Sequence, residues 1–166
     1  MAAANKGDFA KVPELKILVP TSREEAQTWR YTTAKPAEGW QKPDFDDKEW
    51  KEGPGGFGTK GTPGAVVRTE WKTDDIWLRR EFTLPEEKWG DLLLMLHHDE
   101  DAEIYVNGVL AAKVRGYISD YEEVPISDEA RKALKPGKNV FAVHCHQTTG
   151  GQYIDVGIVE VKGGEK

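Results

Sequence analysis

From Ile76 onward, apolar and polar positions alternate with a period of two, the pattern of strands with one buried face. Ile76-Trp77-Leu78-Arg79-Arg80-Glu81-Phe82 sets Ile76, Leu78 and Phe82 on one side. Ala102-Glu103-Ile104-Tyr105-Val106 alternates again and runs into Asn107-Gly108. That dipeptide best tolerates the positive φ values of a two-residue type I′ turn, so residues 109–114 return as the partner strand. Leu92-Leu93-Leu94-Met95-Leu96 breaks the alternation. It is apolar on both faces, as a central strand covered on both sides must be. Residues 140–146 and 155–161 complete the set, with a turn at Thr148-Thr149-Gly150-Gly151 between them.

One short helix is predicted after Ser127. The serine caps it, Asp128 and Glu129 suit its positive end, and Lys135-Pro136-Gly137 stops it. Before residue 75 the pattern fades: 15–19 reads as a strand and 32–70 as long loops. Those loops carry Trp40, Trp50 and Phe57, which must pack on something. Strands punctuated by turns predict an all-β fold, an antiparallel two-sheet sandwich of the jelly-roll kind. The expected division is a flexible lead-in over 1–14, one sandwich over 15–162, and a tail over 163–166. The 166-residue length suits one domain with one core.

Charge and cysteine content narrow the classes of function. Twenty-three Lys and Arg against 29 Asp and Glu give a net charge of -6, with no basic block, a poor match to nucleic acid or an anionic membrane. The longest apolar run falls far short of the roughly 18 residues of a membrane span. The single Cys145 excludes an intrachain disulfide and a multi-cysteine zinc site. It shares a strand face with Phe141 and Val143, which predicts a buried, inert thiol. The first residues lack the apolar region of a signal peptide, which leaves a cytoplasmic protein or a domain of a larger exported chain.

Four motifs in order carry a family resemblance. They are Trp29-Arg30-Tyr31 with Gly39-Trp40 and Phe45-Asp46-Asp47-Lys48-Glu49-Trp50; the 76–82 strand; the 102–108 hairpin; and Gly150-Gly151-Gln152-Tyr153-Ile154-Asp155-Val156-Gly157. Together they resemble the galactose-binding-like jelly roll that forms the sugar-binding domain of family 2 glycoside hydrolases. The resemblance covers residues 29–162. It implies a domain that accompanies a catalytic one without being catalytic itself, in a secreted bacterial enzyme, and therefore an extracellular or periplasmic location. It also places His146, Gln147 and Gln152 at the rim of a sugar site.

A fold does not assign a function, which rests on the chemistry of particular side chains. Adjacent Asp46 and Asp47 point apart in an extended loop, so one caps a turn while Phe45 and Trp50 anchor the loop. All four histidines fall in His97-His98 and His144-Cys145-His146. If those strands were neighbours, three imidazoles would approach a zinc-like geometry. Hydrogen bonding or sugar contact is the favoured role. The oxygens of Asp99-Glu100-Asp101 suit either sugar hydroxyls or a structural calcium ion, without a recognisable calcium-loop spacing.

Six Trp and five Tyr favour sugar, whose C–H faces lie on aromatic rings while its hydroxyls meet polar groups. Trp77 and Tyr105, inside strands, are assigned to the core. Trp71, Tyr117, Tyr121 and Tyr153 are the loop aromatics available as platforms. The carbohydrate-binding set is therefore His98, Asp99, Asp101, Tyr117, His146, Gln147, Gln152 and Tyr153 at one loop end, with Trp71. No residue is assigned a catalytic or metal-binding role. Three functions follow: a carbohydrate-binding accessory domain beside a catalytic partner, a structural accessory domain that binds no sugar, and a small metal-dependent enzyme using the histidines.

Overall fold

Asn107 and Gly108 take φ values of 50° and 86° and turn the chain between β8 (Asp101–Val106) and β9 (Val109–Val114), with Val106 opposite Val109. The predicted hairpin forms as its turn chemistry requires. In the computed structural model, which describes residues 14–162, ten further strands complete two facing sheets. They are β1 (Glu14–Val19), β2 (Thr28–Thr32), β3 (Lys51–Pro54), β4 (Phe57–Gly58), β5 (Thr69–Glu70), β6 (Asp75–Leu84), β7 (Asp91–Asp99), β10 (Glu122–Pro125), β11 (Gly137–His146) and β12 (Tyr153–Lys162). The predicted lead-in and tail, apart from Glu14, lie outside the described residues.

The first sheet runs β10-β7-β12-β4-β5, and β1 also pairs with β12. The second runs β3-β2-β6-β11-β8-β9. Pairings are antiparallel except β4 with β5. From β6 to β12 the chain crosses repeatedly between the sheets, the winding of a jelly roll. Leu92, Leu94, Leu96, Ile154, Val156 and Ile158 of the first sheet meet Ile76, Leu78, Phe82, Ile104, Phe141 and Val143 of the second in one core. Cys145 lies in that core, fully buried, and burial pushes its thiol pKa well above the ordinary range.

The helix, α1 (Asp128–Ala133), follows the predicted cap: Ser127 Oγ accepts the Ala130 N–H at 3.1 Å. Three sequence readings need correction. The 32–70 stretch contains β3, β4 and β5, which are too short and too rich in glycine and charge to alternate. Trp77 is buried as expected but Tyr105 only half-buried, and both stand on the outer face of the second sheet, apart from the central cluster, beside His144 and Trp40 respectively. Leu92–Leu96 is fully buried by the described residues on its inner side alone, and Leu93 and Met95 on the other side are half-exposed.

Candidate functional site

The outer face of the second sheet brings its polar residues together by register. Asp75, His146 and Asp101 form one row across β6, β11 and β8. Trp77, His144, Glu103 and Lys113 form the next, ending on β9. The β11, β8 and β9 members of these rows, with Arg115, line a groove of about 230 Å³ bounded by Asp101, Glu103, Lys113, His144 and His146.

Asp75 organises this groove. Its Oδ1 accepts a hydrogen bond from His144 Nε2 and another from His146 Nδ1, both at 2.8 Å. A carboxylate can only accept, so both rings must donate there. His144 Nδ1 and His146 Nε2 are left without a bond among the described residues. Burial alone would raise the Asp75 pKa, but the two imidazole hydrogen bonds and the imidazole charges outweigh it and hold it below 3.8. The same hydrogen bond raises His146 above 6.5, against a smaller effect of burial. Trp77 stacks on His144 at 4.8 Å with planes 5° apart, which holds that ring upright.

The loop end expected to bind sugar does assemble. Gly116 N–H donates to Asp101 Oδ1 at 2.7 Å, Gln147 N–H to the Asp74 carbonyl at 2.8 Å, and Thr148 N–H to Glu100 Oε1 at 2.9 Å. Several of the predicted contact residues, however, are spent on holding it together. Tyr153, read as an exposed platform, is completely buried, with its hydroxyl 2.7 Å from that of Tyr121 and 3.0 Å from the Val66 carbonyl. Trp71 is buried and its indole N–H donates to Thr73 Oγ1 and the Asp75 carbonyl. Gln152 is buried with its amide on the Thr73 carbonyl, and His98 is buried with Nδ1 donating to the Glu100 and Gly116 carbonyls. Tyr121 is buried against Asp155. Asp99 is buried too, and burial together with the Glu100 charge raises its pKa to about 6.

The physical reason is local. Tyr153 and Asp155 alternate onto the outer face of the first sheet, and the loops carrying Ser22, Val66 and Tyr121 close over them. Gly56 permits this, because a Cβ there would collide with the Tyr153 ring. Asp101, His146, Gln147 and Tyr117 remain accessible, with Tyr117 66% exposed. Gln147 also has its Oε1 buried without a partner.

Sequence reasoning missed Asp75, Glu103, Lys113 and Arg115. The signal for Asp75 was its place one residue before the β6 alternation, but its pairing with His146 depends on a contact between distant strands. The four histidines do not converge: His97 and His98 belong to the first sheet, His144 and His146 to the second. Among the described residues no group of three or more His, Cys, Asp or Glu is placed to hold a metal ion. A larger cleft, about 350 Å³ under the 43–47 loop, is lined by arginines already in use. Arg79 and Arg30 both pair with Asp47, and Arg80 donates to Gln27 and Pro20.

No family model matches the chain, and no curated protein does. Among solved structures it is similar to a glycosyl hydrolase family 2 member from Bacteroides cellulosilyticus, with a TM-score of 0.56 and 20% identity over 82% of this chain and 20% of that one. It is similar to a beta-glycosidase from Bacteroides vulgatus, at 0.52 and 18% over 87% of this chain and 20% of that one. Bacteroides uniformis beta-glucuronidase 2 aligns at 0.56 and 18% over 91% of this chain and 18% of that one. The chain thus has the fold of one domain found in glycoside hydrolase family 2 proteins, and spans about a fifth of their length.

Proposed function

We propose that this chain is a non-catalytic accessory domain of an exported bacterial glycan-degrading enzyme, and that it binds carbohydrate in the groove beside His146. The observation that carries the reading is the Asp75 pairing. It fixes two imidazoles so that free ring nitrogens stand among two carboxylates, a lysine and an arginine. Donors and acceptors held side by side complement sugar hydroxyls, each of which does both. Tyr117, exposed two residues beyond Arg115, supplies the aromatic surface. Asp101 and Glu103 stand side by side on one strand, not opposite each other as a catalytic pair would, and Glu103 is already paired with Lys113. Similarity to a domain within longer enzymes supports the accessory part of the reading.

The test is an NMR titration of the labelled chain with neutral and acidic mono- and oligosaccharides. Dissociation constants on the order of micromolar to millimolar are expected, since one open groove buries little area. His146→Ala and Tyr117→Ala should weaken binding with little change in melting temperature. Binding that persists in both variants moves the site elsewhere. If the parent ignores every glycan, the second reading takes over, a structural domain that docks on a catalytic neighbour. The burial of Trp71, Tyr121 and Tyr153 favours that alternative, because it withdraws three of the four loop aromatics from any ligand.

A further inference from the structure

The outer face of the first sheet is divided. At one end His97, Tyr153 and Asp155 lie under loops. At the other, the cover among the described residues is partial: residues 20–25 border it and Val159 is buried, while the β1 side chains stay exposed. There Ile17, Val159, Leu93 and Pro125 form a row across four strands, and Leu15 lies opposite Val161 in the next. Ile17 is 64% and Leu15 43% exposed, and Ile17, Val19, Pro20, Met95 and Val159 line an apolar cleft of about 270 Å³. A strand apolar on both sides, as residues 92–96 are, belongs in a sheet covered on both sides. Among the described residues that cover stops short of Leu15 and Ile17.

Two features identify what supplies the rest. Glu14 and Lys162 are register partners, so both ends of the described fold lie side by side at this edge. The rim is acidic: Glu24 and Glu25 border the cleft and Glu123 lies opposite Met95, none with an ion pair among the described residues. Arg23, beside them, is already engaged by Asp120 and the Tyr121 ring. A second copy stacked on this face sets acid against acid, whereas a basic rim fits it.

We propose that this face docks a domain covalently joined at the Glu14 and Lys162 edge, through an apolar surface rimmed by Lys or Arg. The proposal rests on the accessory-domain part of the reading above and not on sugar binding. The experiment compares the isolated chain with the complete polypeptide its gene encodes, by hydroxyl-radical footprinting. Leu15, Ile17 and Met95 should be oxidised roughly fivefold more slowly in the complete polypeptide, with Leu110 and Tyr117 unchanged. Ile17→Glu combined with Met95→Glu should return Leu15 to its isolated-chain rate while leaving the melting of the isolated chain nearly unchanged. Equal rates in the two proteins overturn the proposal. So do a reading frame that encodes no further domain, and sedimentation that shows two copies paired through this face. The glycan titration, run on the same samples, separates the two readings: binding with equal footprints removes this proposal alone, and protection without binding removes only the sugar site.

Discussion

Arg79 Nε donates to Asp47 Oδ2 at 2.8 Å, so a buried guanidinium on β6 holds the second aspartate of the Phe45-Asp46-Asp47-Lys48-Glu49-Trp50 stretch. The same side chain donates to the Trp40 carbonyl at 2.6 Å and the Lys42 carbonyl at 2.9 Å. Its plane lies over the Phe45 ring at 5.4 Å. One arginine therefore satisfies the backbone of a loop that has no strand partner of its own. Asp46 serves the turn instead, accepting the Lys48 N–H at 3.0 Å.

Removing Arg79 takes away the nearer of the two guanidinium partners of Asp47, at 2.8 Å, and leaves only Arg30 at 3.6 Å. Arg79→Ala also strips several carbonyls of their donor. It should destabilise the chain by about 3–5 kcal/mol, and Asp46→Ala by about 1 kcal/mol or less. Urea unfolding followed by tryptophan fluorescence measures both. Equal effects would show that the loop is not held through Arg79.

The Asp75–His146 pair gives a pH window that follows from the two shifts. A histidine whose pKa is raised above 6.5 contributes its stability below that value and loses it as pH rises through the folded pKa. An aspartate lowered below 3.8 contributes above that value and loses it as pH falls through the folded pKa. The pair is therefore fully formed in mildly acidic solution. In Asp75→Asn, the NMR titration midpoint of His146 should fall relative to the parent, and glycan affinity should fall with it. An unchanged midpoint would mean that the carboxylate does not hold the ring.

How far the sequence reached depended on the range of the interaction involved. The Asn107-Gly108 turn, the Ser127 cap and the burial of Cys145 are set by neighbouring residues or by alternation, and all three were legible. The link from Asp75 to His146 joins residues whose strands pair only in the fold, and neither segment announces the other. Tyr153 misled for a related reason: it follows a glycine turn, which reads as exposed loop. Yet it is the first residue of β12, and its outward face is roofed by three separate segments.

Under that roof lies Asp155, which accepts the Ser22 N–H at 2.8 Å and the Tyr121 hydroxyl at 2.6 Å. Burial raises its pKa to about 6, despite these donors and the charge of Arg80. A carboxyl raised in the folded state adds stability below its unfolded pKa of 3.8 and loses it as pH rises through the folded value. Asp155→Asn should therefore gain stability relative to the parent as pH rises from about 4 to 7, by up to about 3 kcal/mol. Denaturant midpoints for both proteins across that range test the sign. A variant that tracks the parent at every pH would place the titration elsewhere, with Asp99, raised in the same direction, as the next to change.

Tyr153 itself separates a structural role from a binding one. Its ring meets His97 edge-on at 4.7 Å, and its hydroxyl joins the Tyr121 and Val66 segments. Truncation to Ala empties a fully buried site, which typically costs about 3–5 kcal/mol for an aromatic residue. Tyr153→Phe keeps the ring and loses only the hydroxyl contacts, so about 1–2 kcal/mol is expected. The Phe variant should bind glycans as the parent does, because nothing it loses faces the His146 groove. Thermal unfolding and the glycan titration, run together, decide the point. A Tyr153→Ala protein that melts like the parent but has lost sugar binding would restore this residue as a platform and place the ligand over the first sheet.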